Sequence, residues 1–167
     1  MKFHIECDEC DGLILLDKNN LEKLNDEILY EMDILLDFSG KTELVYDFPN
    51  EKWQDVRKRE SKHIKNFCNN GEMIIWLLDG CDKECEIQFV EEIKETSKWL
   101  HITSGKILAV TASELIQCIS YPELEMEKIF EIDVQNGWYA VSAAGIDEIK
   151  LSCKIQPVPP FENIQEF

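Results

Sequence analysis

Apolar and polar residues alternate along much of the chain, a pattern typical of strands with one buried face. Residues 13–16 form a short, fully apolar run that follows the turn signal Asp11-Gly12. Pairs of patterned runs around turn-forming residues predict four hairpins, at 30–48, 73–90, 99–111 and 128–143. The last contains Asn136-Gly137, the strongest short-range hairpin signal. In all, we expect about nine short strands.

The first of these hairpins competes with a helix. A helical stripe runs through Leu24, Ile28, Met32 and Leu35, whereas residues 30–38 also alternate like a strand. Residues 42–48 alternate again beyond Ser39-Gly40, and a helix would leave this second run without a partner. We therefore favour the strand.

One segment has a clear helical period, from about residue 50 to residue 68. Proline at 49 is favoured at the start of a helix, and apolar residues follow at steps of three and four. Asn69-Asn70-Gly71 supplies residues that end helices readily. Residues 113–119 predict a second, shorter helix. The fold class is then mainly β (α+β): an antiparallel β-sandwich or barrel in a single domain, 1–167.

Charge is the most unusual property of the composition. The 167 residues include 34 acidic and 17 basic ones, so the formal net charge is −17. Such a surface repels phosphate, which disfavours nucleic acid and anionic membranes as direct partners, and attracts basic proteins. Simple solubility is the alternative interpretation of the same charge.

Neither a signal peptide nor a membrane-spanning run is evident, so we expect a cytoplasmic protein. The chain has 7 cysteines, and an odd number fits a reduced pool better than a disulfide framework. Cys7 and Cys10 have the two-residue spacing of a zinc knuckle, and Cys81 and Cys85, separated by three residues, form a second pair in a predicted turn. If their turns met, four thiolates would suit tetrahedral zinc. A zinc-stapled structural or adaptor module is therefore one alternative function.

Motifs of catalysis are missing. The 3 histidines lie in no metalloprotease motif, and no nucleophile elbow or phosphate loop is present. We therefore expect a non-enzymatic protein, with a hydrolase that uses paired carboxylates as another alternative. Runs of acidic residues predict either a solvated face or an acidic patch that binds a basic partner: Glu91, Glu92, Glu95, Glu123, Glu125 and Glu127.

Two segments resemble a known class of proteins. Residues 102–111, with Ser104-Gly105-Lys106 before an apolar strand, and residues 131–141, with Gly137-Trp138-Tyr139, are similar to hairpins of bacterial toxin-immunity proteins and of the competence protein J type of nuclease inhibitor. Ala140 stands where that pattern has arginine. The resemblance implies a β-rich, non-enzymatic inhibitor. Together with the charge, it predicts an immunity protein that neutralises a basic effector, a toxin or nuclease.

Overall fold

Two long antiparallel strands organise the fold. The computed structural model describes residues 1–37, 50–94, 98–123, 129–143 and 145–152, without the side chains of residues 8, 9 and 37. Strand β1 spans Lys2–Asp17 and strand β2 spans Met73–Val90. They pair from Lys2 opposite Glu86 to Leu16 opposite Met73, and the register shifts between Cys7 and Cys10. This shift is a β-bulge, which bends a ribbon.

Five shorter strands extend this ladder into a mixed sheet in the part of the chain that the structure describes. They are β3 (Lys98–Ile102), β4 (Lys106–Thr111), β5 (Phe130–Asp133), β6 (Gly137–Ala143) and β7 (Ile149–Ser152). The seven strands within the described residues lie in the order β3-β6-β7-β2-β1-β4-β5, in which β2 and β7 run parallel. The mainly-β α+β class is confirmed. The barrel alternative is wrong for the described strands, because β3 and β5, at the two ends of the sheet, do not pair with each other.

The sheet bends over itself and buries a core between its two halves. Leu13 and Ile74 from the β1–β2 half pack in one cluster with Leu100, Val141 and Leu151 from the other half. This bend removes the β-branched and leucine side chains on one face of each strand from water. Burial of such apolar surface is the largest favourable term in folding.

Helices cover the opposite face of the β1–β2 half. They are α1 (Asp26–Asp37), α2 (Trp53–Glu60), α3 (Lys62–Asn69) and α4 (Ala112–Ser120), and a 3-10 helix spans Lys18–Lys23. Ile14 and Ile75 of the strands pack with Met32, Ile64 and Leu115 of the helices in a second core cluster. A sheet with both faces buried explains the fully apolar run at 13–16.

The strand predicted at 30–38 is wrong, because the segment belongs to helix α1. Asn25 accepts a hydrogen bond from the backbone NH of Ile28 (3.0 Å) and starts the helix, and Ile28, Met32 and Leu35 are buried along one stripe. Burial against the sheet decides for the helical period. The other half of that predicted hairpin, 42–48, lies outside the described residues. The predicted helix at 50–68 is present as two helices that meet at Ser61.

Three predicted hairpins are wrong: one is a single strand, and the other two contain the predicted strands with different partners. Residues 73–90 form one continuous strand, and β3 pairs with β6 while β4 pairs with β5. Residues 98–109 and 130–141 thus form one bent antiparallel ribbon. Gly105 (φ +74°) and Gly137 (φ +147°) lie at its bend, where the NH of Val134 donates to the carbonyl of Gly105 (2.9 Å). Glycine permits these positive φ angles at corners as well as in hairpin turns.

Candidate functional site

The charged end of the β1–β2 ladder is the most distinctive exposed surface of the described residues. Phe3 and Ile5 point into the core. Because side chains alternate along a strand, those at positions 2, 4 and 6 point outward. Residues directly opposite on β2 share that outward face. We call this face the acidic ribbon; it comprises Lys2, His4, Glu6, Asp82, Glu84 and Glu86.

The acidic ribbon carries four carboxylates and one lysine. Its two basic side chains bind diagonally across the strands: Lys2 Nζ lies 2.8 Å from Glu84 Oε1, and His4 Nε2 lies 2.9 Å from Asp82 Oδ1. These pairs are exposed, with 79% of the Asp82 side chain accessible, and exposed pairs stabilise a fold little. The ribbon therefore has a net negative charge that is open to solvent.

Glu6 lies directly across from Asp82. Met1 and Ile87 exchange two backbone hydrogen bonds, of 2.6 and 2.8 Å, and so form a hydrogen-bonded pair. Along an antiparallel ladder such pairs alternate with non-hydrogen-bonded pairs, whose Cα atoms lie closer together. Five positions on, Glu6 and Asp82 form a close pair, with Cα atoms about 4.5 Å apart. Like charges placed directly opposite destabilise a sheet. A cationic partner would relieve this repulsion.

The acidic residues predicted from the sequence lie on separate elements. Glu91 and Glu92 are exposed directly after β2, and Glu123 is exposed just beyond α4. Glu95, Glu125 and Glu127 lie outside the described residues. Their role as a common partner-binding patch stays a prediction. Sequence reasoning missed the acidic ribbon, although alternating charges at 2, 4 and 6 and at 82, 84 and 86 are its signal.

The four cysteines of the predicted zinc site lie along the β1–β2 ladder. Cys7 is opposite Cys81, Cys10 is opposite Asp79, and Cys85 is opposite Phe3. Because Cys81 and Cys85 are four residues apart on one extended strand, their Cα atoms are separated by about 13 Å. Zinc–sulfur bonds are about 2.3 Å long, so both thiolates cannot bind one zinc ion. Among the described residues, no three histidine, cysteine or acidic side chains converge as a metal site.

Two buried aspartates of β1 fix loops rather than face a cleft. Asp17 accepts hydrogen bonds from the backbone NH groups of Thr103 (2.8 Å) and Ser104 (3.1 Å) and from both hydroxyls. Burial raises the pKa of Asp17, but the hydrogen bonds from Ser104 and Thr103 outweigh it and leave the pKa below its ordinary value. Asp11 accepts from the NH groups of Gly12 (2.7 Å) and Ser113 (3.0 Å) and from the Ser113 hydroxyl, which ties β1 to α4.

A third buried carboxylate, Glu31, joins two helices. It accepts a hydrogen bond from the NH of Ile64 in the first turn of α3 (2.8 Å), and its other oxygen lies 2.8 Å from His63 Nδ1. A helix N-terminus has unpaired NH groups, so this carboxylate acts as a cap from a neighbouring helix. The hydrogen bonds of these three carboxylates thus hold the fold together.

No helix of the described residues is long and apolar enough to cross a bilayer. Comparison of the chain with known protein families, with characterised proteins and with solved structures found no match.

Proposed function

We propose that the protein is a cytoplasmic, non-enzymatic inhibitor of the immunity type, which binds and neutralises a basic effector protein such as a nuclease toxin. The observation that carries the proposal is the acidic ribbon, an exposed face in which Glu6 opposes Asp82. A binding surface that is strained by its own charges in the free protein gains most from a cationic partner.

The overall charge supports the same type of partner. A net charge of −17 accelerates the approach of a basic protein, and the acceleration decreases as salt screens the charges. A surface rich in carboxylates also resembles the phosphate surface that a nuclease binds. The ribbon is rigid, because its other face is part of the core, so little ordering would oppose binding.

The experiment compares three immobilised proteins in lysate of the source organism. They are the wild type, a ribbon variant (Glu6→Gln, Asp82→Asn, Glu84→Gln) and a charge-matched control with substitutions at exposed sites on the helical side (Glu22→Gln, Asp33→Asn, Asp55→Asn). Proteins bound at low salt are eluted at high salt, identified, and assayed for nuclease or toxic activity with and without the chain.

The proposal predicts one basic protein that the wild type and the control retain and the ribbon variant does not. Its activity should fall on addition of one equivalent of the chain, and its association rate should decrease steeply with ionic strength. Equal retention by all three proteins, equal loss from both variants, or a captured protein whose activity is unchanged would each contradict the proposal.

A further inference from the structure

Cys7 and Cys81 lie directly opposite each other at the end of the acidic ribbon, in the last pair before the β-bulge. Both face the core side of the ladder, where Cys81 belongs to the first core cluster and Cys7 packs against it. Cys81 is 7% exposed, whereas Cys7 is half-buried. Two thiols therefore share one face on adjacent strands, and Cys7 is the less buried of the two.

The ladder also fixes their separation. Hydrogen-bonded pairs recur at every second position from Met1 and Ile87, so Cys7 and Cys81 form such a pair, with Cα atoms about 5.5 Å apart. Disulfides span Cα separations of about 4.4–6.8 Å, most often 5.5–6 Å. The Cα separation of this pair therefore lies within the range that disulfides span, and a small local adjustment of the two strands would bring the Cβ atoms to bonding distance.

We propose that Cys7 and Cys81 are a redox pair, which forms a reversible intramolecular disulfide when the protein meets a small, uncharged peroxide. In the first step the Cys7 thiolate attacks one peroxide oxygen, the O–O bond breaks, and the leaving hydroxide takes up a proton from solvent, giving a sulfenic acid and water. In the second step the Cys81 sulfur attacks the sulfenic sulfur, a second water leaves, and the disulfide forms. Two thiols lose two protons and two electrons, and hydrogen peroxide takes them up and is reduced to two waters.

The other cysteines of the ladder are poorly placed for this reaction. Cys10 lies beyond the bulge, opposite Asp79, and its sulfur is 3.9 Å from that carboxylate. Cys85 is fully buried, and burial raises the pKa of its thiol to about 12. An uncharged oxidant is specified because exposed carboxylates at Glu6 and Asp82 repel anionic disulfides.

The disulfide would join the two strands of the acidic ribbon next to Glu6 and Asp82. It would hold this end of the ladder closed against the repulsion of those two carboxylates. The redox pair depends only on the strand register, so it stands or falls separately from the proposed inhibitor function.

The test treats the reduced full-length protein with hydrogen peroxide, blocks the remaining thiols by alkylation, and digests it without reduction. Cleavage before aspartate separates residues 1–7, 8–10 and 79–81, because aspartates stand at 8, 11, 79 and 82. We expect residues 1–7 to be linked to residues 79–81, with two thiols lost and both restored by dithiothreitol.

Variants assign the roles. Cys10→Ser should form the same link, whereas Cys81→Ser should accumulate a sulfenic acid at Cys7 that dimedone traps, and Cys7→Ser should form neither. Circular dichroism of the variants checks that each is folded. A link from Cys7 to any other cysteine, a link between chains, or loss of thiols to sulfinic acid without a disulfide would overturn the proposal.

Discussion

Gly71, which follows helix α3, lies against the indole ring of Trp138 in strand β6. Its φ angle is +72°, and a Cβ atom at this position would lie 2.4 Å from Cζ3 of the ring. Trp138 also stacks on His101, with ring centroids 4.3 Å apart and planes within 5°, and the NH of His101 donates to the carbonyl of Gly71 (2.8 Å). The turn after α3 is thereby attached to one edge of the sheet.

Gly71→Ala should destabilise the protein by about 2–4 kcal/mol, because alanine pays for a left-handed backbone and its methyl group collides with the indole. In a Trp138→Ala background the same substitution should cost only about 1–2 kcal/mol, because the collision with the indole is absent and only the cost of the left-handed backbone remains. Urea unfolding of the four proteins in a double-mutant cycle measures the difference. Gly145→Ala is the control, since nothing lies within 4 Å of its Cβ position, and it should change stability little.

The lowered pKa of Asp17 predicts that the folded protein loses stability in acid. Its hydrogen bonds to Thr103 and Ser104 keep the folded-state pKa below the unfolded value, so its contribution is complete above roughly pH 4. The contribution decreases as the pH falls through the lower folded-state pKa. Asp17→Asn should cost about 1–3 kcal/mol at pH 7, because one amide oxygen cannot accept from all four donors.

Unfolding midpoints of wild type and Asp17→Asn between pH 7 and pH 3 test this prediction. The difference between the two proteins should narrow as the pH falls. Asp33→Asn, an exposed change of the same charge, should run parallel to the wild type. A difference that stays constant over the whole range would show that the carboxylate does not stabilise the fold through its charge.

Glu31→Ala should cost about 1–3 kcal/mol, because it leaves the buried NH of Ile64 without an acceptor. The loss should appear first as faster hydrogen exchange at the amide of Ile64, in the first turn of α3. Asp33→Ala on the same helix is exposed and should stay within about 0.5 kcal/mol of the wild type. Unchanged exchange at Ile64 would show that this cap is dispensable.

Cys68 and Cys85 should resist alkylation in the native protein. Burial raises the pKa of each thiol to about 12, from an ordinary value of 9.0, so the reactive thiolate is about a thousandfold rarer near pH 8. Iodoacetamide labelling followed by mass spectrometry should modify the half-buried Cys10 well before either of them. Equal labelling rates without denaturant would contradict this burial, and unfolded protein provides the reference in which all react alike.

Local patterns predicted the type of most elements but seldom their partners. Residues 13–16 are a strand and residues 113–119 lie in α4, as their patterns indicated. The glycine turns at 105 and 137 were interpreted as hairpins because a turn signal records only that φ can be positive. Which strand lies across from a corner depends on contacts distant in sequence, which no local pattern contains.

The buried carboxylates show the same division. Asp11 and Asp17 frame the apolar run 13–16, but only the folded chain brings Ser113, Thr103 and Ser104 to them. Helix α1 likewise owes its form to the helical layer it packs in, since its sequence fits two periods and burial of Met32 and Leu35 selects one.

The sequence by itself determined the β-rich class, the negative charge and the two close cysteine pairs, Cys7 with Cys10 and Cys81 with Cys85. Composition and short-range periodicity report charge and burial directly. The tertiary structure decided which of these residues meet. It placed Glu6 against Asp82 and Cys7 against Cys81, and it kept Cys81 and Cys85 too far apart to share a metal ion. Register is the physical reason: between Lys2 and Cys7, one antiparallel pairing, selected by the core on its inner face, fixes every opposite pair at once.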